Sequence, residues 1–216
     1  MLFVLVLPIA SLASAVHAQT QPKLPPAPYL LVATVGMPDP MFDHSVILML
    51  AAPAQSPIIA GVIINKPTDV TWGRLFRDAA ELRQSQQKVY FGGPVAFDEP
   101  MLFIRGAHTS KAATRVMDDL YANADIAQIV ATLKTSRVPG HLRLFLGRAQ
   151  WTPDQLRGEI REGSWEIKPA EVDAVFRPDP TGLWQELAHP AHLREVNFDA
   201  YPRAGLIDAD FSWFDH

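Results

Sequence analysis

Residues 61–76 read GVIINKPTDVTWGRLF, and residues 89–95 read VYFGGPV. In the first stretch an apolar, β-branched run through Val62, Ile63 and Ile64 has the composition of a buried strand, and it empties into Asn65-Lys66-Pro67-Thr68. Thr68 or Asp69 is of the residue type that caps a helix. Val70, Leu75, Phe76, Ala79 and Leu82 then recur at roughly helical spacing, while Arg74, Arg77, Asp78 and Glu81 fall on the other face. The expectation is a strand, a tight turn and a helix. The second stretch reads as a strand stopped by Gly92-Gly93-Pro94, where glycine permits a turn or a close approach that a side chain would block.

The flanking segments extend the same sheet. Residues 29–34, 45–51 and 58–64 are nearly continuous in hydrophobicity and read as strands buried on both faces. GMPDPMFDH at residues 36–44 breaks the first of them with two prolines and two aspartates, the composition of a functional loop. Residues 101–104, 141–146 and 165–168 are further strands, and residues 107–110 read as loop. Asp125 caps a helix running to Thr135. Thr152, with Pro153 at the first helical position and Gln155 three residues on, forms a capping box for a helix to Glu162. Residues 170–176 and 181–187 supply short helical pieces. The fold class expected is α/β (α+β mixed), a twisted mixed β-sheet flanked by helices, with a smaller α+β lobe.

The ends differ in composition from the body. The first 18 residues contain no Asp, Glu, Lys or Arg and end in small residues at Val16 and Ala18, which reads as a secretory signal lacking the usual basic start. Pro8 and the short apolar stretch argue against a stable membrane span. A cleaved leader makes the protein periplasmic or secreted; a start codon assigned too far upstream makes it cytoplasmic. Residues 19–28 are proline-rich and read as a linker, residues 29–190 as the domain. Residues 191–216 carry two arginines against five carboxylates, with Phe198, Tyr201, Phe211, Trp213 and Phe214 among them. They read as an acidic aromatic extension packed back by its rings.

Charge and cysteine content narrow the chemistry. The 216 residues hold 19 Lys and Arg against 23 Asp and Glu, which disfavours nucleic acid as a partner. With no cysteine there is no disulfide, thiolate nucleophile or Cys-ligated zinc. Asp43-His44-Ser45 has the letters of a hydrolase triad, but neighbouring side chains on an extended segment face opposite ways, so His44 cannot serve Ser45 as base. His189, His192, Asp208, Asp210, Asp215 and His216 match no metal-ligand spacing, and no motif calls for a cofactor.

The blocks at residues 29–50, 61–76, 89–95 and 145–170 together resemble the YqgE/AlgH family of bacterial proteins, a family of unknown biochemical activity. The resemblance covers residues 29–187 and includes both the Asn65-Lys66-Pro67 and the Phe91-Gly92-Gly93-Pro94 turns. It implies an α/β sandwich and a regulatory role of the kind ascribed to some members, among them control of alginate production. It carries no catalytic residues across. The export-like leader and acidic extension depart from the family pattern and weaken the transcriptional reading, since an exported protein cannot bind the chromosome.

Two functions are expected to compete, with a transcriptional regulator that binds nucleic acid as a weaker third. One is a non-catalytic regulatory or protein-interaction module that meets an unknown protein partner through its strand-end loops: Pro40, Asp43 and His44; Asn65, Lys66, Pro67 and Thr68; Gly92, Gly93 and Pro94. The other is a binder of small anions, or an enzyme, using Lys66 at a helix N-terminus with Arg105 or His44 nearby.

Overall fold

A computed structural model describes residues 22–53, 55–106, 113–135 and 139–188. The leader, residues 107–110 and the acidic extension of the sequence reading lie outside the described residues. Residues 22–28 precede the first strand without regular structure, and Leu24 and Ala27 pack against the main core.

The strands are β1 (Tyr29–Ala33), β2 (Val46–Met49), β3 (Ile59–Ile63), β4 (Pro67–Thr71), β5 (Lys88–Phe91), β6 (Val95–Arg105), β7 (Thr114–Met117), β8 (Leu120–Asn123), β9 (Leu142–Trp151) and β10 (Trp165–Pro169). The helices are α1 (Trp72–Leu75), α2 (Ile126–Thr135), α3 (Pro153–Arg161), α4 (Val172–Val175) and α5 (Leu183–Ala188). The sheet runs β10-β1-β2-β3-β9-β6-β8-β7, with β4 and β5 joined to it through β9. All pairings are antiparallel except β5 beside β9, so the sheet is mixed, and the α+β class is as expected.

β9 organises the sheet because it serves two partners along one edge. Residues 144–146 pair with β5 and residues 149–151 with β3. Gly147 sits at the handover with φ +74°, a conformation that suits glycine. Gly92 enters there, donating its N–H to the Leu146 carbonyl at 2.7 Å while its own carbonyl accepts from Ile63 N at 2.8 Å.

Alternation along β9 and β6 splits their side chains between two cores. Phe145, Ala149, Met101 and Phe103 join the larger core with β1, β2, β3, α4 and α5. Leu142, Leu144, Leu102 and Ile104 join a smaller one with Trp72, Ala79, Leu82, Ile129 and Leu133. The smaller α+β lobe of the sequence reading is this second core, which shares the sheet with the first.

Residues 67–71 correct the sequence reading. No helix follows Thr68: they form edge strand β4, in which Pro67 pairs with Tyr90. Proline is tolerated there because an edge strand leaves one row of N–H groups unused. Thr68 Oγ1 donates to the Val89 carbonyl at 2.8 Å, and Thr71 is the cap of the short α1, accepting from Arg74 N at 3.3 Å. The helical spacing to Leu82 dissolves into three-residue turns (Ala79 N to Phe76 O, Leu82 N to Ala79 O, Ser85 N to Leu82 O). The chain folds back tightly at this point: a Cβ on Gly73 would lie 2.5 Å from the Arg83 carbonyl oxygen.

Candidate functional site

Residues 34–45 form a loop of overlapping turns between β1 and β2. Phe42 and Asp43 both donate backbone N–H to the Asp39 carbonyl at 3.0 Å, and Asp39 Oδ1 accepts from Met41 N at 2.8 Å. Asn65, Lys66 and Phe42 hold this loop from beneath. Asn65, 5% exposed, accepts from Val46 N through Oδ1 and donates through Nδ2 to the His44 carbonyl, each at 2.8 Å. Lys66 Nζ donates to the Met41 carbonyl at 2.6 Å. Phe42 places its ring 5.8 Å from Trp151 and 5.6 Å from Trp165, two indoles that both donate to Glu159 Oε2 at 2.8 Å.

His44 has φ 56°, and its ring stands edge-on to Trp184 at 3.8 Å. Trp184 in turn donates its indole N–H to the Ala33 carbonyl at 2.7 Å, tying α5 to the same end of β1. Burial lowers the Lys66 pKa, with the nearby Asp43 and Asp39 charges opposing that shift.

The structure brings most of the sequence-predicted residues together. Phe91 N donates to the Lys66 carbonyl at 2.9 Å and Ile63 N to Gly92 O, so the 65–68 and 91–94 segments are neighbours beside the loop. Gly92 and Gly93 are themselves inaccessible. A Cβ on Gly92 would meet the Gly147 carbonyl oxygen at 2.2 Å, and one on Gly93 the Arg148 carbonyl carbon at 2.2 Å. Their role is close backbone packing, and of that turn Pro94 alone is exposed. The anion site expected at Lys66 lacks its helix N-terminus, because β4 occupies that position. Arg105 is engaged elsewhere, bonded through Nη2 to Asp173 at 2.7 Å and facing Asp119 through Nε at 3.5 Å.

The Asp43-His44-Ser45 letters assemble no nucleophile. Ser45 is fully buried, and its hydroxyl has no hydrogen-bond partner. His44 Nδ1 pairs with Asp43 at 3.0 Å. Among the described residues no three metal-ligating side chains gather; the histidines and aspartates after residue 188 lie outside them. Among the described residues, no helix is long and apolar enough to cross a membrane.

Two exposed residues that the sequence reading did not single out belong to this loop: Val35, 79% exposed, and Met41, 46% exposed. An apolar residue just past the end of a buried strand, and another between Pro40 and Phe42, was the available signal.

A mixed sheet with a core on each face, presenting a clamped apolar-acidic loop at one strand end, defines an α+β protein whose distinctive surface is a loop. The family model described as AlgH-like matches residues 30–194, and the chain belongs to that family. A UPF0301 protein of Streptomyces coelicolor is 32% identical over 161 residues, covering 73% of this chain and 82% of that protein. One from Streptomyces avermitilis is 32% identical over 80% of this chain and 90% of its own length. The fold is similar to the solution structure of the AlgH protein from Pseudomonas aeruginosa, with TM-score 0.61 and 20% identity over 74% of this chain and 85% of that one.

Proposed function

We propose that this AlgH-like protein is a non-catalytic interaction module that binds a protein partner through the 34–45 loop and the adjoining Asn65–Lys66 and Pro94 edge. The observation that carries this reading is the pairing of exposed Val35 and Met41 with a loop fixed by Asn65, Lys66 and Phe42. Exposed apolar side chains on a mobile loop lose ordering entropy when a partner arrives; on a clamped loop that cost is already met during folding. Asp39 and Asp43 flank these residues, so the surface fits a partner with an apolar patch and basic neighbours. It is poorly suited to nucleic acid, since these carboxylates would face phosphate.

A leader cleaved after Ala18 would place that partner in the envelope. The test is cross-linked capture by the full chain against Val35→Asp/Met41→Asp. The double variant is expected to lose the captured partner while its unfolding free energy from urea titration stays within about 0.5 kcal/mol of wild type, because both side chains are exposed. Equal capture by the two chains would refute this surface.

A further inference from the structure

We infer that the cleft beside Arg105 is a binding site for a small monocarboxylate with an apolar body. The cleft lies apart from the 34–45 loop, between β10 and the α4–α5 segment, with a volume of about 590 Å³, the size of a small-molecule pocket. Leu30, Phe176, Leu183 and Leu187 give it an apolar wall. Arg105, Lys168 and Arg177 supply its cations.

Three features set the ligand class. The cleft is also lined by Glu171, Asp173 and Glu186, while Lys168 pairs with Glu166 at 2.9 Å and Arg105 faces Asp119, so its cations are already matched by carboxylates and a dianion such as a phosphate monoester would add more negative charge than a monoanion. The two signs are not equally placed. Arg105 and Arg177 side chains are 32% and 36% exposed, while their partners Asp173 and Glu186 are 80% and 58% exposed. Within each pair the cation is therefore the more enclosed partner and the carboxylate the more exposed one, which favours an incoming anion over a cation. Ion pairs that exposed are worth about 0–1 kcal/mol, so either partner carboxylate swings away at small cost.

The third feature is how Arg105 spends its fork. Nε and Nη2 form the edge that a single carboxylate grips with both oxygens, yet here they are divided between Asp119 at 3.5 Å and Asp173 at 2.7 Å. One ligand carboxylate replaces a long contact and a single contact with a bidentate pair. The cleft wall is also anchored: Arg143, 9% exposed, stacks over Tyr90 at 4.5 Å and donates through Nη2 to the Arg177 carbonyl at 2.8 Å. A guanidinium is costly to bury, and this one holds the backbone of a cleft residue in place.

The experiment titrates the full chain with octanoate, octanamide, octylammonium and octyl phosphate, followed by ¹H–¹⁵N NMR. Octanoate is expected to bind saturably, to shift the amides of Ala174, Leu183 and Leu187, and to bind about tenfold more tightly than octanamide. Arg105→Gln should abolish that preference, and Arg177→Gln, on the opposite ion pair, serves as the second variant should the first lose its native spectrum. No saturable shift at millimolar octanoate, equal affinity for octanamide, tighter binding of octylammonium or octyl phosphate, or an unchanged preference in both folded variants would each overturn the assignment.

Discussion

Asn65 is the residue on which the loop depends, because its one side chain bonds both the end of the loop and the start of β2. Its carboxamide satisfies the buried Val46 N–H and the His44 carbonyl together. A leucine of similar size would leave both without a partner, and an unsatisfied buried group costs about 1–3 kcal/mol. Asn65→Leu is therefore expected to lower unfolding free energy by about 2–4 kcal/mol in a urea titration with unchanged slope. It should also weaken partner capture more than that loss of folded protein explains. Tyr29 makes a separate, pH-dependent prediction. Burial raises its phenol pKa from the ordinary 10.0 to about 12. The folded state thus holds the proton that the unfolded chain gives up above pH 10. The contribution is fully present below that pH and is lost as pH rises towards 12, amounting to about 3 kcal/mol. Urea midpoints at pH 9 and pH 11 should show a steeper decline for wild type than for Tyr29→Phe; parallel declines would mean that the phenol is solvated.

Among the elements, β9 and its glycines decide whether the sheet closes. Gly92→Ala has no space to occupy, with the Gly147 carbonyl oxygen 2.2 Å from the new methyl and backbone on every near side. It is expected to cost more than about 3 kcal/mol or to prevent folding. Gly158 in α3 is the contrasting case. Its nearest neighbour is an Arg161 side-chain nitrogen at 3.8 Å, and Gly158→Ala should stabilise the protein by about 0.5–1 kcal/mol. Thermal melts of the two variants check both signs. The sequence announced the glycine turn but not what fills the space around it, since Gly147 and Arg148 lie more than fifty residues further along. β1, β2, β3, α2 and α3 were legible because local pattern and environment agree: continuous apolar runs buried on both faces, and caps that form at Asp125 and Thr152. The box at Thr152 is half made, as the Gln155 side chain donates to Glu159 at 2.8 Å. β4 was not legible, because residues 67–71 take their state from Tyr90 and Val89 across the gap. The β7–β8 hairpin escaped for a similar reason. Its strands are four residues each, and Asp118 adopts φ 37° in a turn without glycine.

For the molecule as a whole, the question is whether two cores make one cooperative unit. Leu144 and Phe145 are adjacent on β9, both fully buried, and point into opposite cores. The backbone hydrogen bonds that hold one in place also hold the other, so loss of either core exposes the strand that the second needs. Truncation of either side chain to alanine is expected to cost about 3–5 kcal/mol. The tryptophans report on the cores separately, Trp72 from the smaller and Trp151, Trp165 and Trp184 from the larger. With ¹⁹F-labelled tryptophan, urea unfolding of wild type, Leu144→Ala and Phe145→Ala should show the native resonances of these four, out of five tryptophans in the chain, disappearing at one midpoint in each protein. Coincident loss in Leu144→Ala is the critical result, because a lobe with its own stability would release Trp72 at lower urea and leave the larger-core indoles native. A split of that kind would assign β9 to the larger core alone. A shared midpoint would mean that any strain reaching the sheet, whether from the clamped loop or from the cleft beside Arg105, is borne by both cores at once.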